Sequence, residues 1–237
     1  NFRRVIRGEE GTHEGLLFND SDVYKWLEGA CYALALQDDS ELRAMVDEAV
    51  ELISKAQDQD GYINTFYQLK SKANHYWSDE GSPEENSRWS RLASDHEMYC
   101  MGHLIEASVA HKQSLHSDDL LNVGLKAAQH IASIFGPEKR LGFCGHQVIE
   151  LALCRLSDCT GEPQWRELAK WMIDRRGRRP SPFEPEVRDP NRLGKSKHYV
   201  DWSFEGDVYV ARYLQDDKPL EDQVEPVGHS VRAVYYY

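Results

Sequence analysis

The sequence predicts an all-α fold in which helical hairpins are arranged as an α/α toroid. Apolar residues recur at the 3.6-residue period in consecutive pairs of segments, each pair joined by a short polar or Gly-containing break. Alternating strand patterns are sparse along the 237 residues. The hairpins are not close copies and their connections are very unequal, which disfavours a repeat solenoid and favours a closed arrangement.

Residues 1–19 are mixed and Gly-punctuated, a lead-in strand or loop. A first helix is predicted from Asp20, with Asp20 or Ser21 as its cap. Its inward stripe is Val23, Trp26, Leu27, Ala30, Cys31 and Leu34. Asp38-Asp39-Ser40 breaks it. The second helix carries Leu42, Met45, Val46, Ala49, Ile53 and Ala56, and ends near Gln57 before the Asp60-Gly61 turn. Residues 61–94 form a long irregular segment holding Tyr62, Phe66, Tyr67, Tyr76, Trp77 and Trp89. Loops of that length are functional or disordered, and the aromatic load argues against disorder.

The third helix is predicted from an Asp95 cap to about Gln113. Its spacing places His96, Cys100, His103 and Ala107 on one face, with Glu97 in the first turn where the helix dipole favours a carboxylate. The fourth runs from a Ser117 cap to Phe135, with Leu121, Leu125, Ala128, Ile131 and Phe135 inward, and Gly136-Pro137 stops it. The fifth follows His146, carries Ile149, Ala152, Leu153 and Leu156, and ends at Gly161. The sixth starts at Pro163, a favourable first-turn residue, buries Trp165, Leu168, Trp171 and Met172, and ends at Gly177. Residues 178–227 are long, Pro-rich and charged, with Tyr199, Trp202, Phe204 and Tyr209 interspersed. A seventh helix begins at Gly228-His229 and runs to Tyr237.

The hairpins are therefore 20–57, 95–135 and 146–176, with another starting at the end. In a toroid their first helices form the inner ring and point the same way, so their N-termini meet at one mouth. Those N-termini carry Asn19-Asp20, His96, His146 and His229. Histidines at matching structural positions mark the candidate site.

The net charge of −12 argues against non-specific nucleic-acid binding, which needs basic surface to displace counterions. No stretch approaches the roughly 18 apolar residues of a membrane-spanning helix, so no membrane partner is expected. The five Cys are odd in number and fit no disulfide framework, which points to reduced thiols and a cytoplasmic setting.

Several chemistries remain open on the residues alone. His96, Cys100 and His103 are zinc-ligand types, although three ligands on a single helix rarely converge. Asp20, Asp22, Glu97 and Glu150 lie near the expected mouth and could supply the carboxylate pair of a glycosidase, or could simply be caps and first-turn acids. Cys100 or Cys144 could pair with a neighbouring His as a nucleophile. There is no Gly-rich phosphate loop and no Gly-x-Ser-x-Gly elbow.

Five stretches taken together resemble glycoside hydrolase family 127, the β-L-arabinofuranosidases. They are Phe18 to Glu28, Asp60 to Tyr67, His96 to Ala107, Gly145 to Leu153 and Val227 to Arg232, in family order across nearly the whole chain. The resemblance implies an (α/α)6 barrel and exo-hydrolysis of β-linked L-arabinofuranose with retention. The partner would be an L-arabinofuranose-containing oligosaccharide or glycoconjugate. It implies a zinc cofactor holding a cysteine nucleophile, with a separate Glu as acid/base. A zinc-bound thiolate is deprotonated at neutral pH, which makes that chemistry intelligible.

Carried over by position, His96, His146 and His229 resemble the family's sugar-contacting histidines. Asn19 stands where a sugar-binding Gln is expected, with the same amide chemistry and a shorter reach. Tyr213 to Pro219 resembles a loop that usually carries a His, and Asp217 stands there instead. The family's catalytic Glu, zinc ligands and nucleophilic Cys lie beyond the Val-Gly-His segment. The expectation is therefore that residues 1–237 form a partial barrel truncated before them, with no catalytic residue and no metal ligand of its own, and are inactive alone. The alternative functions are a non-catalytic α-helical carbohydrate-binding or scaffold protein, and another α/α-barrel sugar enzyme such as an epimerase or unsaturated-uronide hydrolase.

Overall fold

The computed structural model of the chain describes residues 1–70, 87–189 and 203–237. Tyr76, Trp77, Tyr199 and Trp202, singled out above, lie outside the described residues.

The lead-in is helical rather than extended: α1 spans Phe2–Arg7 and closes on Gly8 at φ 68°. The first hairpin is α2 (Asp20–Leu36) and α3 (Ser40–Ala56). Asp39 caps α3, accepting from the N–H groups of Glu41 at 3.0 Å and Leu42 at 2.9 Å. A short α4 (Thr65–Gln68) follows, capped by Asn64. The second hairpin is α5 (Glu97–Leu115) and α6 (Asp119–Ile134), and the third is α7 (Ile149–Thr160) and α8 (Pro163–Arg175). Pro163 occupies the first turn of α8, and Gly161 ends α7 in the left-handed region at φ 76°. Beyond them come α9 (Glu184–Arg188), a two-stranded antiparallel hairpin of β1 (Phe204–Glu205) and β2 (Val208–Tyr209), and α10 (Ser230–Tyr236). All predicted hairpins are present, and the described residues are mostly helical.

The helix α5 organises the packing. It touches α2, α6 and α7, and every residue from Glu97 to His111 is buried. A helix enclosed on all sides has no single apolar face, which is why its sequence shows polar and apolar residues around the whole circumference. Gly102 permits the close approach of α7, since a Cβ there would lie 2.6 Å from Val148 Cγ1. Helices α2, α5 and α7 thus form one row in chain order, while α3 meets α6 behind them. That is the inner and outer layering expected of an α/α toroid.

Local readings shift where tertiary contacts take over. Trp26 and Met45 are exposed at 39% and 50%, while Tyr24 and Val50 enter the core. The buried arc of α2 runs through Tyr24, Leu27 and Cys31, and Trp26 is about 100° of helix rotation away from Leu27. Asn19, not Asp20 or Ser21, is the residue preceding α2. Asp20 instead accepts from the Thr65 N–H at 2.7 Å and the Thr65 hydroxyl at 2.6 Å, joining α2 to α4. Asp95 does not cap α5 either. Its carboxylate accepts from the Tyr67 hydroxyl and from Ser94 Oγ at 2.6 Å. None of the helices among the described residues is long and apolar enough to cross a membrane.

Candidate functional site

His96 precedes α5 in the left-handed region, at φ 60° and ψ 21°. Such a backbone costs on the order of 1–3 kcal/mol and persists where surrounding structure enforces it. The His96 ring is therefore set by this kink and not by helical spacing. Its Nδ1 bonds the Ser94 carbonyl, which makes Nδ1 the protonated nitrogen and leaves Nε2 as an acceptor. His146 follows Gly145, whose N–H donates to Leu92 O at 2.8 Å. A Cβ on Gly145 would run into the Ala93 carbonyl, so this strap passes only because the residue is glycine. His146 Nδ1 bonds the Gln147 carbonyl at 3.0 Å, again leaving Nε2 free to accept. His229 precedes α10 and makes no capping bond, and its Nδ1 has no hydrogen-bond partner among the described residues.

These elements bring the histidines together. The His96 and His146 ring centroids are 5.5 Å apart, and those of His146 and His229 are 6.2 Å apart. Phe18, at the end of the lead-in to α2, lies 5.1 Å from His96. The N-termini of α2, α5, α7 and α10 thus converge as predicted. Asn19 adjoins this mouth, but its amide is engaged locally: Oδ1 accepts from the Leu16 N–H and Nδ2 donates to Asp22 at 2.7 Å.

Tyr99 is the hub that sequence reasoning missed. Its ring is 4.5 Å from His146, 4.6 Å from His103 and 5.4 Å from His96, with Lys25 Nζ 5.3 Å from its centre. Tyr235 adds a wall 6.0 Å from His146 and 5.9 Å from His103, and Tyr213 stands 5.4 Å from His229. Tyr99 sits three residues after His96, but the left-handed turn takes His96 off the helix, so that spacing does not by itself bring the two rings together. The contacts of Lys25, Tyr213 and Tyr235 join different elements and leave no local trace.

Burial, reinforced by the Arg232 guanidinium, lowers His96 to about 3 and His146 to about 2; the same two causes lower His229. Burial and then Lys25 lower His103 to about 4. The mouth at neutral pH is therefore a set of uncharged imidazoles beside tyrosine rings. Uncharged imidazoles can exchange hydrogen bonds with hydroxyl groups, and aromatic walls can cover the apolar faces of a sugar.

The candidate carboxylates are committed to the scaffold. Glu97 accepts from the Tyr62 hydroxyl at 2.5 Å and the Trp89 N–H at 2.7 Å, and burial pushes it up to about 8. Glu150 faces the Arg176 guanidinium at 3.4 Å. Asp22 receives the Asn19 amide and faces Lys25 at 3.5 Å. Cys100 donates to the Phe18 carbonyl at 3.6 Å, and burial holds it far above the usual thiol range; Cys144 is pushed to about 12 by burial. These are thiols, not nucleophilic thiolates. Among the described residues no three His, Cys, Asp or Glu side chains converge as a metal site. The described side chains therefore do not fit zinc.

A family model described as "Beta-L-arabinofuranosidase, GH127 catalytic domain" matches residues 1–237. The chain is 40% identical over 235 residues to the non-reducing end β-L-arabinofuranosidase of Bifidobacterium longum subsp. longum, covering 98% of this chain and 33% of that protein. The chain thus spans about a third of the length of that curated relative. A crystal structure of a GH127 β-L-arabinofuranosidase from Geobacillus stearothermophilus T6 superposes with a TM-score of 0.84 at 36% identity, covering 100% of this chain and 34% of that one. A second GH127 β-arabinofuranosidase superposes with a TM-score of 0.74 at 30% identity, covering 99% and 33%.

Proposed function

We propose, from the premise that this chain belongs to the GH127 catalytic-domain family of β-L-arabinofuranosidases, that its mouth is part of an arabinofuranose subsite. The enzyme would release L-arabinofuranose from the non-reducing end of an oligosaccharide or glycoconjugate, with retention. The observation that carries this reading is the convergence of His96, His146 and His229, all uncharged at neutral pH, from separate helices. A furanose is neutral and hydroxyl-rich, and charged groups would waste desolvation energy on it. His96 and His146 each lock one nitrogen on a carbonyl and offer Nε2 to a sugar hydroxyl. The zinc-bound cysteine chemistry implied by the resemblance would come from residues other than those described here.

The test is His146→Leu, which keeps bulk and removes the acceptor. Hydrolysis of a β-L-arabinofuranoside should fall on the order of tenfold to a hundredfold, the worth of a hydrogen bond in a dry site. Melting should move by only a few degrees. Equal loss of fold and activity would place His146 in the scaffold and sink the subsite. The second reading, a non-catalytic carbohydrate-binding protein, draws on the commitment of Asp20, Glu97 and Glu150 to structural bonds. It predicts arabinofuranoside binding with no turnover by the native full-length protein.

A further inference from the structure

Arg232 is 2% exposed and lies one helical turn after His229. Its Nη1 donates to the Gly145 carbonyl at 2.6 Å, and its guanidinium carbon sits 4.5 Å from the centre of the Tyr213 ring. Tyr213 in turn packs on His229. The Gly145 carbonyl and the His146 nitrogen share one planar peptide unit, so holding that oxygen fixes the plane from which His146 projects. The preceding N–H of Gly145 is already held by Leu92 O at 2.8 Å. One side chain thus joins the strap carrying His146 to the helix and ring that carry His229.

We propose that Arg232 is a positioning residue that holds His146 and His229 in register with each other. This role rests on reading the mouth as a sugar subsite, and it goes beyond that reading by naming what sets its width. Arg232 does not itself need to touch sugar. A planar guanidinium can bond the carbonyl and stack on the tyrosine at once; an ammonium can do only the first well. The positive charge also helps keep all three histidines unprotonated.

The experiment is Arg232→Lys in the native full-length protein, read in two ways. Hydrolysis of a nitrophenyl β-L-arabinofuranoside should show KM raised roughly threefold to thirtyfold, the worth of the lost guanidinium–tyrosine stacking, with kcat changed far less. Imidazole 15N signals should shift for His146 and His229 and stay in place for His116 and His130, which lie on other elements. An unchanged KM with unchanged signals overturns the proposal, as does an equal shift of all four histidines. If the wild-type protein neither binds nor cleaves the arabinofuranoside, the sugar reading fails, and the NMR signals alone decide the positioning role. Should Arg232→Lys not fold, Arg232→Gln is measured in the same way. Loss of fold in both variants overturns the positioning role in favour of a purely structural one.

Discussion

Glu186 on α9 is 2% exposed, and its two carboxyl oxygens accept from the N–H groups of Leu92 at 2.9 Å and Ala93 at 2.8 Å. That strap carries Leu92 O, which holds Gly145 ahead of His146. Glu186→Ala therefore leaves two buried N–H groups without acceptors. Each costs about 1–3 kcal/mol, so the variant should lose roughly 2–6 kcal/mol. Burial has pushed Glu186 up to about 8, so it is largely protonated at pH 7 and its removal recovers little charge desolvation. At roughly 2–4 °C per kcal/mol for a chain of this size, melting should fall on the order of 10 °C. Glu186→Gln keeps one acceptor and turns an NH2 group toward the other N–H, so it should fall about half as far. Circular dichroism melts of the three proteins at pH 7 measure this. A Glu186→Ala protein that melts within about 2 °C of wild type, or above the Gln variant, refutes the reasoning.

His96→Gly relieves a left-handed backbone that glycine adopts freely, so stability should hold or rise by about 1 kcal/mol, while, on the proposed subsite reading, hydrolysis of an arabinofuranoside by the native full-length protein falls; a clear drop in melting would show that the ring, not the kink, supports the fold. Stability should also decline as pH rises from about 6.5 to 8. Burial raises Glu97 and Glu186 from 4.5 to about 8, so the folded state binds more protons than the unfolded one across that window. Each group contributes a slope of about 1.4 kcal/mol per pH unit at most. Below 6.5 the lowered His96, His103 and His146 act in the opposite sense, since they must charge on unfolding. Urea titrations at several pH values test this, and the slope should flatten in Glu97→Gln; a variant with the wild-type slope would exclude Glu97 as its source.

The hairpins were legible because helix periodicity and end signals are local. Pro163 starts α8, Gly161 ends α7 and Asp39 caps α3 through groups a few residues away. The meeting of His96, His146 and His229 was legible too, because equal helix starts in a toroid share one end. What those residues do there was settled only by packing. Helical spacing joined His96 with Cys100, yet the left-handed turn lifts His96 out of the helix, and Cys100 bonds back to Phe18. Capping preference assigned Asp20 and Asp95 to helix ends, but Thr65 and Tyr67 claim them across the core. Tyr99, Lys25, Tyr235 and Arg232 entered the site through contacts between separate elements. The sequence by itself therefore determined which segments are helices and which ends gather. Tertiary structure decided charge state, ring orientation and carboxylate partners, because burial and hydrogen bonding between distant residues outweigh the smaller preferences of local spacing.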